Sequence, residues 1–119
     1  MFNIKNKSNF GVFEIGMDKK GEINNLSKLV RPSVGIITNI SYAHIKNFKN
    51  LKGIAKAKSE LIDNIVEDGI IILNKDDKFF DFFKRKSLKK KMNIISISKK
   101  RKEDIKLLKI KKLEKNYLV

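Results

Sequence analysis

The sequence predicts an α/β fold, a partial doubly wound, mainly parallel sheet with flanking helices. Two observations carry this. Short apolar runs without polar alternation recur at 10–16, 34–39 and 70–74, as strands buried on both faces would read. Between them lie segments with apolar residues spaced by three and four, which is helical periodicity. Strands alternating with helices make βαβ units covered on both sides.

The elements follow in order. FGVFEIG, 10–16, is rich in aromatic and β-branched residues and reads as a first buried strand. A helix starts near Gly21-Glu22 and aligns Ile23, Leu26, Leu29 and Val30; Pro32 stops it, because the residue before proline is pushed out of the helical region. VGIITN, 34–39, is a second strand with polar residues at its end. A loop holding His44 leads to a helix over about 51–66, and Gly69 precedes a third strand, 70–74. Asp76 and Asp77 are placed to cap a helix over about 77–90, with Phe79, Phe80, Phe82 and Phe83 partly in the core. NIISIS, 93–98, alternates like a strand, as do 105–110 and 117–119. Residues 1–98 form the expected domain body, and 99–119 a basic, strand-forming extension of it.

Composition narrows the function. The chain has 119 residues and no cysteine, which excludes disulfides and thiolate metal sites. No apolar run approaches the length of a membrane span, and a cytoplasmic protein is expected. The formal net charge of +15 suggests nucleic acid. Its distribution argues otherwise: residues 84–115 carry 15 basic and 3 acidic side chains, against 13 and 10 in the first 83. Of the 28 basic residues, 25 are lysine and 3 arginine, whereas phosphate recognition favours the planar arginine fork. A solvated lysine-rich surface is the simpler reading.

In open parallel sheets, ligands sit at the carboxyl ends of the strands. Glu14, Thr38, Asn39, His44, Asn74, Asp76 and Asp77 all fall near such ends. Singly, each has a plain explanation as a solvent-facing acid, a surface imidazole or a helix cap. Together, a carboxylate and an imidazole at neighbouring strand ends suit a hard metal or a phosphate. Lys58 sharpens this, for it stands four after Ile54 and three before Leu61, inside the apolar stripe of its helix, with Lys56 and Ser59 directed elsewhere. Snorkelling explains such a lysine. The alternative is a partly desolvated amine able to react with carbon dioxide and become an anionic carbamate.

Four motifs then resemble the Mur ligases of peptidoglycan synthesis, in that family's order and spacing: FEIGMDKKGEI (13–23), RPSVGIITNISYAHIKNF (31–48), LKGIAKAKSEL (51–61) and DGIIILNKDD (68–77). The likeness is to the central, ATP-binding domain, P-loop NTPase-like, of the branch that adds D-Ala-D-Ala. It implies ATP-dependent amide-bond formation on a UDP-MurNAc-tripeptide through an acyl phosphate. It also implies Mg²⁺ held by Glu14, His44 and a carbamylated Lys58, with Thr38, Asn39, Asn74, Asp76 and Asp77 shaping the nucleotide side. The family's phosphate cradle, G-x-x-G-K-S/T, is not among the six glycines here. The chain is therefore expected to be an internal piece of such a ligase, truncated and inactive alone. The alternatives are a noncatalytic half or remnant that pairs with a second chain supplying the P-loop, or a basic nucleic-acid-binding module.

Overall fold

The computed structural model describes residues 9–42, 45–99, 105–106, 111–113 and 116–118. Its elements are α1 (Glu22–Val30), β1 (Val34–Ile37), a 3₁₀ turn at Ile45–Asn47, α2 (Leu51–Lys58), α3 (Glu60–Asn64), β2 (Ile70–Asn74), α4 (Phe80–Lys89) and β3 (Asn93–Ser98). Three short strands follow: β4 (Ile105–Lys106), β5 (Lys111–Leu113) and β6 (Asn116–Leu118). Strands β1 to β4 form one sheet in that order, every pair parallel, while β5 and β6 make a separate antiparallel pair. The expected parallel α/β architecture is present. Of the expected strand 105–110, residues 105–106 are strand, and 107–110 lie outside the described residues. Among the described residues no helix is long and apolar enough to cross a membrane.

Register explains the core. Gly35 stands beside Ile71 and Ile71 beside Ile94; Ile37 stands beside Leu73 and Leu73 beside Ser96. Paired residues of a parallel ladder share a face, and on this face Gly35, Ile37, Ile71, Leu73 and Ser96 are buried. Ile54, Ala55, Ala57 and Ile62 of α2 and α3 join the same core, with Ile23 of α1 and Phe83 of α4. Phe79, Phe80 and Phe82 pack against it half-buried, as the sequence suggested.

The second face corrects the expectation of cover on both sides. Val34 and Ile36 are 45 % and 56 % exposed, and Ile70, Ile72, Ile95 and Ile97 of that face are only half-buried. The reason is topological. Strand order runs one way from β1 to β4, so right-handed crossovers place each connecting helix on the same face. Cover on the other face requires the order to reverse.

Two further expectations are corrected. Residues 10–16 are not a strand. A strand exists through its ladder, and this segment takes part in no ladder of the sheet, so Phe10 and Val12 stand 90 % and 97 % exposed. The single helix over 51–66 is two, α2 and α3, meeting at Ser59. That residue keeps helical dihedrals (φ −68°, ψ −12°) while its hydroxyl donates to the Lys56 carbonyl at 2.7 Å, a local competition with the helical ladder. Ser59 is buried rather than directed to solvent, and its carbonyl and hydroxyl both receive Lys86 Nζ, which also pairs with Asp63 at 2.7 Å.

Candidate functional site

The carboxyl ends of β1, β2 and β3 carry a linked set of polar groups. β1 ends at Ile37, and Thr38 and Asn39 follow, both exposed, with the Thr38 hydroxyl 3.2 Å from Asn39 Oδ1. β2 ends in Asn74, whose Oδ1 accepts from the Asp76 N–H at 2.9 Å and shapes the turn. Asp76 reaches the end of β3: its oxygens accept from the Ser98 hydroxyl at 2.8 Å and the Lys99 N–H at 2.7 Å. Asp77 reaches the opposite way. Its Oδ2 accepts from the Ile40 N–H at 2.7 Å and its Oδ1 from the Phe79 N–H at 2.8 Å. Asp77 thus closes the turn before α4 rather than capping the helix, whose N-cap residue is Phe79.

Lys58 comes to this edge from the last turn of α2. It flanks the buried stripe made by Ile54, Ala55, Ala57 and Ile62 and is itself half-buried. Its Nζ donates to the Asn39 carbonyl at 3.0 Å. Lys58, singled out in the sequence by its place in the apolar stripe, thus meets Asn39 at the end of β1.

The other two residues assigned to the metal do not join them in the described structure. Glu14 is exposed on the 10–16 segment, because that segment forms no strand to carry it to the edge. His44 lies outside the described residues.

Sequence reading missed Glu60. Its carboxylate accepts from the Gly21 N–H at 3.0 and 3.2 Å and from the Asn24 N–H at 3.0 Å, closing the amino end of α1 from 36 to 39 residues away. Nothing local marks this role, since α1 has no side-chain cap of its own. A helix opening with glycine and no Ser, Thr, Asp or Asn at its cap was the available hint.

A parallel sheet with an amine and carboxylates gathered at its carboxyl edge has the architecture in which α/β domains place their ligand sites. The chain belongs to the Mur ligase family: the Mur ligase middle domain matches residues 1–118. Its relatives include the UDP-N-acetylmuramoyl-tripeptide–D-alanyl-D-alanine ligase of Buchnera aphidicola subsp. Acyrthosiphon pisum, 34 % identical over 101 residues, which are 85 % of this chain and 22 % of the relative. The ligase of the same name from Bacillus subtilis is 44 % identical over 66 residues, 56 % of this chain and 14 % of the relative. Among solved structures, MurF from Acinetobacter baumannii superposes with a TM-score of 0.74 at 31 % identity, covering 86 % of this chain and 22 % of that one. MurF from Thermotoga maritima in complex with ADP gives 0.63 at 26 % identity, with 82 % and 22 % covered. The chain spans about a fifth of the length of these relatives.

Magnesium can be tested against the donors present. It takes carboxylate, carbonyl, water and phosphate oxygens. Among the described residues no three His, Cys, Asp or Glu side chains converge. The oxygens of Asp76 and Asp77 already accept N–H and O–H groups, and Lys58 Nζ acts as a donor. These residues as they stand do not compose a magnesium site.

Proposed function

We propose that this chain is the central-domain portion of an ATP-dependent ligase that joins D-alanyl-D-alanine to UDP-MurNAc-tripeptide. In that reaction a carboxylate oxygen of the tripeptide attacks the γ-phosphorus of ATP and ADP departs, leaving an acyl phosphate. The amine of D-Ala-D-Ala then attacks the acyl carbon, phosphate leaves, and the nitrogen loses a proton. The observation that carries the reading is Lys58: its amine stands on Asn39 at the carboxyl edge of the sheet, inside a segment that keeps four family motifs in order. Thr38, Asn39 and the Asn74, Asp76 and Asp77 turn belong to the nucleotide side in this reading. Glu14 and His44 would share Mg²⁺ with Lys58 once the lysine is a carbamate, an assignment supported by motif position alone. A cytoplasmic location accords with the nucleotide substrates.

The proposed activity needs more polypeptide than this chain. Phosphate cradling calls for a glycine-rich loop that its sequence lacks. β1 has a partner on one side only among the described strands, and Ile36 on it is 56 % exposed. A further strand added there in reversed order would set a topological switch point beside Thr38 and Asn39, where α/β sheets bind ligands. The second reading, a complementing half joined by a P-loop-bearing chain, rests on that same open edge.

The test replaces the matching segment of the Bacillus subtilis ligase with residues 10–98. The chimera is expected to release phosphate only when ATP, tripeptide substrate and D-Ala-D-Ala are all present, and Lys58→Ala in it to lower the rate by about 100-fold or more. A folded chimera without activity, or one indifferent to Lys58→Ala, overturns the reading. The isolated chain is expected to show no turnover, and turnover by it would refute the need for more polypeptide.

A further inference from the structure

One peptide unit at the sheet's carboxyl edge is gripped at both ends by side chains of opposite charge. The carbonyl of Asn39 accepts from Lys58 Nζ at 3.0 Å, and the N–H of the same peptide, that of Ile40, donates to Asp77 Oδ2 at 2.7 Å. Bonds in which one partner is ionised are the stronger kind, and each polarises the amide so as to strengthen the other. The side chain of Ile40 is buried, which anchors the unit from below.

Geometry makes the two contacts interdependent. In a planar trans peptide the N–H and C=O point in opposite directions, so fixing one fixes the other. Asp77 is itself held, since its second oxygen accepts from the Phe79 N–H at 2.8 Å, at the entry to α4. From this we infer that Asp77 is a positioning residue for Lys58: it orients the Asn39–Ile40 peptide so that the carbonyl receives the amine at the carboxyl edge. Asp77 acts on Lys58 through the peptide, across the gap between β1 and β2. That this serves phosphoryl transfer rests on the ligase reading; the clamp itself does not.

Asp77→Asn in the full 119-residue chain separates the two bonds. An asparagine has one oxygen acceptor, and a turn closed on the second residue onward, here Phe79, is a geometry it makes readily. The local bond survives and the one to Ile40 is lost. Hydrogen exchange of the Ile40 amide is expected to quicken by about tenfold or more, with Ile62 and Ile71 unchanged. Acylation of Lys58 by acetic anhydride, read by peptide mass mapping, should quicken by roughly threefold or more as its acceptor is released. A residue that merely closes a turn would leave Lys58 reactivity where it was. Lys58→Met gives the reciprocal reading, faster exchange at Ile40 with Phe79 unmoved, and decides the matter if Asp77→Asn does not fold. Unchanged Ile40 exchange and Lys58 reactivity, or equal acceleration across all core amides, overturns the inference. These readouts need no turnover, so an inactive chimera with the clamp intact sinks only the ligase reading.

Discussion

Replacing Gly69 by alanine should damage this fold more than replacing Gly35, although Gly35 lies inside a strand and Gly69 ahead of one. A Cβ on Gly69 would stand 2.9 Å from the Ser33 carbonyl oxygen, 2.9 Å from that of Val66 and 2.4 Å from Ile65 Cγ2. Both oxygens are committed: Ser33 O receives the Ile70 N–H at 2.9 Å and Val66 O receives the Gly69 N–H at 3.1 Å. Backbone cannot rotate away as a side chain can. Each oxygen must retreat by about half an ångström to reach ordinary contact, which strains the bond aligning β1 with β2. Overpacking of about 2 kcal/mol, with about 1 kcal/mol for each of two weakened hydrogen bonds, gives a loss of about 4 kcal/mol. The three atoms nearest a Cβ on Gly35 are Ile65 Cδ1 at 2.7 Å and Ile71 Cδ1 and Leu61 Cδ2 at 3.2 Å, all ends of side chains that can shift. Its loss should be about 1 kcal/mol. The entropic gain of removing a glycine from the unfolded chain is common to both and cancels in the comparison. Urea unfolding of the whole chain by far-ultraviolet circular dichroism measures the two. The reasoning fails if Gly35→Ala proves as damaging as Gly69→Ala, or if Gly69→Ala leaves the midpoint where it was.

Glu60→Ala should cost about 2 kcal/mol in the same assay, because α1 then has no side chain on its first N–H groups, and exchange should quicken at Gly21 and Asn24 before other amides. Glu22 gives a pH signature. Its carboxyl is held below the ordinary 4.5 by the Asp18 N–H, then the Lys19 N–H, bonds of 2.6 and 3.0 Å. Its contribution to stability is therefore complete above 4.5 and fades as the pH falls through the lowered folded value; Glu22→Gln should flatten that part of the stability profile and leave the profile near neutrality unchanged. For Lys58, ¹³C-bicarbonate should produce a carbamate carbonyl resonance, as the neutral amine adds carbon dioxide and releases a proton. The resonance should vanish in Lys58→Met, and its absence from the wild-type chain would count against the carbamate.

The sequence by itself determined the parallel α/β class, because uninterrupted apolar runs such as 70–74 belong to buried strands and their spacing leaves room for helical crossovers. It determined the family as well, since motif order and spacing are properties of one dimension. It located α1, β1, β2, α4 and β3 to within a few residues, where periodicity and the breaks at Pro32 and Gly69 are strong. Only the tertiary structure decided which polar groups meet. Lys58 and Asn39 are 19 residues apart, Asp77 and Ile40 are 37 apart, and Glu60 reaches back 39 to Gly21. Nothing in local propensity encodes such pairs, because they exist only once crossovers have stacked one strand end beside the next. The same limit explains FGVFEIG, whose composition says strand. A strand is a hydrogen-bonded relation between two segments, and residues 10–16 take part in no ladder of the described sheet.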